Sequence, residues 1–224
     1  MILYYTDPSV TIYHGDCRDI TDNTLGITVD AIIADPPYNV GRDYGAQTND
    51  LRSAADYERW TSEWFTAVRC LAWKMVVFPG LKRGCLEMWL RTFKPSAIGC
   101  WYKNHGSART LIGINHWEPW LYWCGDKGAL GGSDVIHSKV ETVRMMGSRE
   151  VSPSHPGQKP IDLLQRLIGK LRCDVVLDPF MGSGTTLIAA KNLGLRVVGI
   201  ELEEKYCEVA ANRCSQEVLD LVGA

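Results

Sequence analysis

The run Asp35-Pro36-Pro37-Tyr38 combines an acid, two prolines and an aromatic ring directly after an apolar segment. Residues 29–34 are almost entirely apolar, a pattern typical of a strand covered on both faces, and the prolines end that strand. Asp35 is therefore expected at the carboxyl end of a strand, where open parallel sheets bind ligands. The Asp35 carboxylate and the Pro36 carbonyl can then accept hydrogen bonds at one point, beside the flat ring of Tyr38. Two acceptors and a ring suit a planar heterocycle that carries an amino group.

The same four residues can also form an ordinary turn after a strand, because proline and aspartate are frequent in turns. A second segment of similar design favours the functional interpretation. Residues 175–186 run from an apolar strand through Asp178 into a glycine-rich turn that opens a helix. Such a helix start resembles a phosphate site, but the lysine of a P-loop is missing and Leu187 replaces the third glycine of a dinucleotide fingerprint. An acid beside a tight glycine turn suits an ammonium group instead.

Together the two segments resemble the amino-group DNA methyltransferases that use S-adenosylmethionine (SAM), in the beta class, where the catalytic motif precedes the cofactor motif. The resemblance covers residues 10–222. It implies a doubly wound α/β fold of the Rossmann-like methyltransferase type, with a circularly permuted, mostly parallel sheet of seven strands. It also implies that Asp35, Pro36, Pro37 and Tyr38 form the catalytic motif. Asp35 and the Pro36 carbonyl would accept the two amino hydrogens of a flipped base, on which Tyr38 would stack.

The resemblance also implies where the cofactor is held. Asp178 and its glycine turn would hold the methionine end of SAM, and Glu201, at the end of the next strand, would hold the ribose. Asp16 with Cys17 would bind the adenine, and Lys159 would lie near the cofactor carboxylate. The cofactor-binding residues implied in this way are Asp16, Cys17, Asp35, His155, Lys159, Asp178, Phe180, Gly182, Ser183, Gly184, Thr185, Glu201 and Leu202.

The implied reaction moves the methyl group of SAM to N6 of an adenine in double-stranded DNA, without a metal. Transfer to N4 of cytosine is the close alternative, because cytosine also presents an exocyclic amine. Asp35 favours adenine, since cytosine-N4 enzymes of this family more often have serine there. A catalytically silent SAM-binding or DNA-binding module is the alternative from a different class, and the intact Asp35–Tyr38 motif argues against it. A restriction endonuclease is a further partner that the family suggests.

The elements that must position these residues follow from apolar periodicity. The predicted strands are 10–13, 29–34, 75–78, 97–102, 120–124, 175–178 and 196–201, and the predicted helices are 54–73, 81–93, 161–168, a helix from the glycine turn to 193, and 203–222. Strands 97–102 and 120–124 are expected to form a hairpin-like pair at one edge of the sheet.

Length and composition limit the alternatives. A chain of 224 residues is long enough for one domain with a modest insertion, so we predict a single domain, 1–224. The net charge of −2 excludes a polycation that coats nucleic acid, so DNA contacts require a local basic surface. Eight cysteines without zinc spacing predict reduced core residues. The absence of a signal sequence or a membrane-length apolar run predicts a cytoplasmic protein without a membrane partner.

Residues 125–154 lack apolar periodicity and contain many glycines and serines. We predict that they form a small target-recognition insertion, and a flexible surface loop is the alternative. The polar loop 39–49 is expected to lie over the site. The residues that we expect to contact DNA are Arg42 in that loop and Lys139, Arg144 and Arg149 in the insertion.

Overall fold

The computed structural model describes residues 1–81, 84–103, 108–110, 113–125, 129–138 and 158–216. The strands are β1 (Ile2–Thr6), β2 (Val10–His14), β3 (Ala31–Ala34), β4 (Lys74–Val77), β5 (Ala97–Lys103), β6 (Ala108–Thr110), β7 (Gly113–Asn115), β8 (Trp117–Trp123), β9 (Val135–Ser138), β10 (Val175–Asp178) and β11 (Arg196–Glu201). The helices are α1 (Asp22–Leu25), α2 (Ala54–Arg69), α3 (Cys85–Phe93), α4 (Ile161–Leu171), α5 (Thr185–Asn192) and α6 (Glu204–Ser215).

One sheet of nine strands, in the order β1-β2-β11-β10-β3-β4-β8-β5-β9, organises the molecule, and β6 and β7 form a separate hairpin. The five strands from β2 to β4 in that order are parallel. The strand before the catalytic motif, β3, pairs directly with the strand before the glycine turn, β10, although the two lie far apart in the sequence. The predicted α/β fold with a mostly parallel, permuted sheet is therefore confirmed.

The sheet differs from the prediction at both edges, where it has two strands more than the expected seven. β1 pairs antiparallel with β2, and β9 pairs parallel with β5. β1 escaped prediction because its side chains are largely exposed, and β9 because its four residues lie in a glycine-rich segment. β5 and β8 form the predicted antiparallel pair, but β9 covers β5, so this pair is not the edge.

Helices cover both faces of the sheet, and the side chains of β3 point alternately into the two cores that result. Ala31 and Ile33 face a core that includes α4, α5 and α6, whereas Ile32 and Ala34 face a core that includes α2 and α3. Chains leaving the adjacent strands β3 and β10 thus cross to opposite faces. The gap between two such strands is where doubly wound sheets bind ligands.

α2, α3 and α5 appear where periodicity predicts them, with shorter ends, whereas α4 continues past its predicted end at 168 to Leu171 and the short α1 was not predicted. α2 ends at Arg69 rather than at Trp73, whose ring is 78% exposed. α3 starts at Cys85 rather than at residue 81, because Gly84 precedes it in the left-handed conformation (φ 73°). α6 is described to Ser215, so the predicted end of that helix at 222 lies outside the described residues.

Most of the predicted recognition insertion also lies outside the described residues, together with Lys139, Arg144, Arg149 and His155. The part that is described contains β9. All eight cysteines belong to the described part of the chain, and no disulfide joins any of them. Among the helices that the structure describes, none is both long and apolar enough to cross a membrane.

Candidate active site

Four acids meet at one edge of the sheet because they follow parallel strands. Asp16 follows β2, Asp35 follows β3, Asp178 ends β10 and Glu201 ends β11. A cavity of about 240 Å³ opens at this edge. Of the residues that the sequence pointed to, those lining the cavity are Asp16, Cys17, Asp35, Pro36, Pro37, Tyr38, Arg42, Phe180, Glu201 and Leu202. The structure therefore brings the predicted catalytic motif and six of the predicted cofactor-binding residues into one pocket, whereas Lys159, Asp178 and residues 182–185 do not line it.

The Asp35 carboxylate lies in a compact hydrogen-bond network. The Lys159 ammonium donates to its two oxygens at 2.8 and 3.0 Å and to the Tyr38 hydroxyl at 2.7 Å, and the Tyr38 hydroxyl donates to Asp35. Burial alone would lower the pKa of Lys159, but the charges of Asp35 and Glu118 outweigh burial and raise it. Lys159 is thus a buried cation that keeps Asp35 in one orientation. Its expected contact with the cofactor carboxylate stays a prediction.

The backbone of the motif is fixed from behind. The Tyr57 hydroxyl on α2 donates to the Pro37 carbonyl at 2.9 Å, and the Cys85 thiol at the start of α3 donates to the Tyr38 carbonyl at 3.2 Å. A Cβ at Gly80, which has φ 69°, would lie 2.9 Å from Cγ of Tyr38, so only glycine fits beside the ring. Burial, followed by the negative charge of Asp35, raises the pKa of Tyr38 well above its usual value. Tyr38 therefore remains a neutral ring at the wall of the pocket.

Asp178 is a buried acid and Glu201 a partly buried one, and neither has a cationic partner among the described residues. Asp178 is 3% exposed and accepts from the Phe180 N–H at 2.9 Å, while Glu201 accepts from the N–H groups of Gly182 and Glu203, both at 2.9 Å. Burial raises the pKa of Asp178 to about 7 and also raises the pKa of Glu201. Uncompensated buried carboxylates favour a positively charged ligand.

The glycine turn itself lies behind the pocket wall. Gly184 (φ 82°) touches α6, where an added Cβ would lie 2.9 Å from Cβ of Ala210. The Ser183 carbonyl accepts from Arg213 at 2.5 Å, and the Thr185 hydroxyl lies 2.7 Å from the Gln158 amide. These contacts hold the turn in place, so that Phe180 and the preceding proline can form the wall.

Asp16 and Arg18 both line the pocket and form an ion pair with each other. The Arg18 guanidinium contacts both Asp16 oxygens, at 2.7 to 3.1 Å, and bridges to Glu63 on α2 at 2.7 Å. Burial would raise the pKa of Asp16, but these bonds lower it overall. Cys17 is buried. No motif in the sequence points to Arg18, and its bond to Glu63 depends on how the turn after β2 packs on α2.

Another wall of the pocket is formed by Trp60 of α2. From the sequence, the aromatic residues of this helix are expected to belong to the core alone. Phe180 packs edge-on against Trp64, with ring centroids 4.8 Å apart, and against Trp60 at 5.9 Å. The Arg52 guanidinium lies over Trp60, 4.5 Å from its ring centroid. Trp60 and Arg52 both line the cavity.

The polar loop after Tyr38 covers the pocket, as the sequence predicted, and it is held at two points. Asp50 accepts from the N–H groups of Asn39 and Arg42 at 2.6 and 2.8 Å. Glu203, at the start of α6, accepts from the Gln47 N–H at 2.7 Å and from the Thr48 hydroxyl at 3.0 Å. Arg42 belongs to this loop and lines the cavity, and its expected contact with DNA stays a prediction.

We expect Glu203→Ala to release this loop, because the buried carboxylate of Glu203 is its anchor on α6. Amide hydrogen exchange of residues 39–49, measured by mass spectrometry, should accelerate about tenfold or more, since hydrogen bonds to a charged group contribute about 1.5–3 kcal/mol. Glu208→Ala, which removes an exposed acid from the same helix, is the matched control. Equal exchange in the two variants would show that Glu203 does not anchor the loop.

Comparison with known proteins decides the family. Residues 80–212 match the DNA methylase family of N6 and N4 methyltransferases. The chain is 30% identical to the type II methyltransferase M.HpaI of Haemophilus parainfluenzae, over 85% of this chain and 69% of that protein. The chain belongs to this family. It is also 27% identical to the type II methyltransferase M2.MboI of Moraxella bovis, over 92% of this chain and 88% of that protein.

A solved structure of a family member agrees with the fold described above. The crystal structure of the M1.HpyAVI–SAM complex superposes with a TM-score of 0.67 at 26% identity, covering 92% of this chain and all of that one. The resemblance drawn from the two motifs is thereby confirmed. The catalytic motif at 35–38 lies outside the matched range 80–212 and enters the site through the pairing of β3 with β10.

Proposed function

We propose that this DNA methyltransferase moves the methyl group of SAM to the exocyclic N6 amine of an adenine that is flipped out of duplex DNA. The observation that carries the proposal is the Asp35 carboxylate, which Lys159 and Tyr38 hold at the wall of a pocket that also contains Glu201 and Phe180. An acceptor fixed in this way can receive an amino hydrogen.

The chemistry of the pocket fits SAM. The cofactor carries an ammonium and a sulfonium group, and Asp178 and Glu201 are acids that no described cation neutralises. Asp178 is proposed to hold the ammonium and Glu201 the ribose hydroxyls, while Phe180 and Leu202 offer apolar surfaces for the adenine ring. When bound, SAM supplies an activated methyl group. The relative solved with SAM supports this assignment.

The residues of the catalytic motif are proposed to increase the nucleophilicity of the target amine. The lone pair of an aromatic amine is delocalised into the ring, so the nitrogen is a poor nucleophile. When Asp35 and the Pro36 carbonyl accept its two hydrogens, the nitrogen can become pyramidal and direct its lone pair at the methyl group. Positive charge then develops on the nitrogen, and the Asp35 carboxylate stabilises it. Tyr38 stacks on the flipped base and fixes its plane.

Adenine is proposed over cytosine because residue 35 is an acid. Both bases carry an exocyclic amine, so cytosine N4 is the alternative outcome of the test. The proposed partner is double-stranded DNA. Arg42 and the three basic residues Lys139, Arg144 and Arg149 are proposed to contact it, and the sequence that they select is proposed to be the site of a restriction endonuclease.

Sequencing that detects modified bases tests the base and its context together. We expect DNA from cells that lack other methyltransferases and express this chain to carry N6-methyladenine at one short motif, and DNA from cells with the empty vector to carry none. N4-methylcytosine would replace the adenine assignment. Unmodified DNA, from cells that contain the folded protein, would contradict methyl transfer.

The same sequencing tests the proposed DNA contacts of Lys139, Arg144 and Arg149. If one of these residues contacts a base, its replacement by alanine should relax the methylated motif at one position. If it contacts a phosphate, the replacement should lower modification at all sites.

A further inference from the structure

Four charges of alternating sign form a row that starts at the Asp35 carboxylate, and the two lysines among them are buried. Asp35 pairs with Lys159, the Lys159 Nζ lies 3.6 Å from Oε2 of Glu118, and Oε1 of Glu118 accepts a hydrogen bond from Lys103. The side chains of Lys159 and Lys103 are only 6% and 4% exposed. Burying an ammonium group is unfavourable unless it is well paired, so folding alone does not explain two buried lysines in one row.

The hydrogen bonds of Lys159 go to the catalytic motif: its ammonium donates to the two Asp35 oxygens at 2.8 and 3.0 Å and to the Tyr38 hydroxyl at 2.7 Å. Glu118 is a second anion for the same ammonium, at the longer ion-pair distance of 3.6 Å. Asp35 follows β3 and Glu118 lies on β8, so the two carboxylates approach Lys159 from different strands of the sheet. Lys159 is therefore bonded to Asp35 and additionally attracted by Glu118.

Glu118 is itself fixed by Lys103. Glu118 stands opposite Trp101 on the neighbouring strand β5, and Lys103 follows on the same face of β5, with its Nζ 4.8 Å from the Trp101 ring centroid. Burial would raise the pKa of Glu118, but the two lysines outweigh burial and lower it. Glu118 is thus an anion whose charge Lys103 balances, which leaves its second oxygen directed toward Lys159.

We propose that Glu118 is a positioning residue for methyl transfer, which gives the Lys159 ammonium a second anion and so fixes it where it orients Asp35 and Tyr38. Without Glu118, Lys159 loses this attraction, and Asp35 and Tyr38 are held less firmly in the orientation that receives the target amine. This inference rests on the proposed function for its activity readout, and on the geometry of the buried row for a second readout that needs no activity.

The test uses a balanced pair of substitutions. Glu118→Gln alone removes the carboxylate that pairs with the buried Lys103, so the variant can lose stability for a trivial reason. Glu118→Gln combined with Lys103→Met removes one charge of each sign and keeps the Lys159–Asp35 pair. Glu58→Gln is the matched control, because Glu58 also accepts from a cation and a hydroxyl, Arg91 at 2.8 Å and Thr92 at 2.7 Å, but on the surface.

The first readout is the single-turnover rate of methyl transfer with saturating SAM and DNA. In the double variant we expect this rate to fall by roughly tenfold or more, since small misplacements of reacting groups are costly, while the dissociation constant of SAM stays within about twofold. Glu58→Gln should match the parent in both. A double variant that folds and transfers methyl at the parental rate would overturn the proposal, because neutralising Lys103 would then be the whole role of Glu118.

The second readout is a nitrogen-15 NMR titration of the Lys159 ammonium without SAM or DNA. The charged and titratable groups facing it are Asp35 and Tyr38 from the catalytic motif, Glu118 from β8 and, behind Glu118, Lys103 from β5. Glu118 is nearer than Lys103, so removing both should lower the pKa of Lys159. An unchanged pKa would refute the positioning role. If the parent methylates no DNA, the proposed function fails, and this titration still decides the role of Glu118.

Discussion

Asp35→Asn should lower the rate of methyl transfer by roughly 10²–10³-fold while keeping the dissociation constant of SAM within a few fold. Asparagine has nearly the same shape, but its amide offers one acceptor oxygen without charge, and its NH₂ group points a donor at the target amine or at Lys159. The stabilisation of positive charge on the amine is then lost, and effects of this kind are worth about 10²–10³ in rate for a single group. Single-turnover transfer and calorimetric titration with SAM measure the two quantities.

Asp30→Asn is the matched control for this experiment. Asp30 lies at the opposite end of the same strand, where its carboxylate accepts from the N–H groups of Asp174 and Val175, both at 2.9 Å, and an asparagine oxygen can take over that role. It should transfer methyl at close to the parental rate. If Asp35→Asn kept more than about a tenth of the parental rate, an essential acceptor role for this carboxylate would be excluded.

Asp178→Asn should weaken SAM binding by about 30-fold or more and, in the same molecule, stabilise the protein without SAM. A lost charged hydrogen-bond partner costs about 2 kcal/mol, and each 1.4 kcal/mol is a factor of ten in affinity. The stabilisation follows from burial, which raises the pKa of Asp178 to about 7 in the folded protein. The unfolded chain ionises this group near pH 4.

The sign of the pH dependence follows from that difference. Below pH 4 the carboxyl is neutral in both states and does not affect stability. As the pH rises from 4 through 7, ionisation favours the unfolded chain, so the folded parent loses up to about 4 kcal/mol, estimated from three pKa units at 1.36 kcal/mol each. Urea unfolding should therefore show that Asp178→Asn stabilises at pH 8 and not at pH 4. Parental SAM affinity should increase through pH 7, while that of the variant should not.

Asp174→Asn, which changes an exposed acid just before the same strand, is the matched control. It should leave both SAM affinity and the pH dependence of stability unchanged. If Asp178→Asn bound SAM with the parental affinity, the proposed role of Asp178 in holding the cofactor would be excluded. A variant with no stability gain at pH 8 would show that the buried carboxylate is paired in solution. These are separate outcomes, since one concerns the ligand and the other the empty protein.

The sequence by itself determined the local features of this protein. The apolar run 29–34 followed by Asp35 and two prolines is sufficient to place an acid at the end of a buried strand, because alternation and proline act on neighbouring residues. The glycine turn after Asp178 and the stripes of α2 and α4 are equally local. The family follows from these motifs and their order, and the comparisons confirm it.

Only the tertiary structure decided which distant residues complete the site. The contacts of Lys159 with Asp35 and Tyr38, of Glu203 with the loop 39–49, and of Glu118 with Lys159 each join segments that are far apart in the chain. No periodicity encodes such contacts. They arise from the order of strands in the sheet, in which β3 pairs with β10 and β8 is the neighbour of β4. They arise also because a buried charge without an oppositely charged partner is energetically costly.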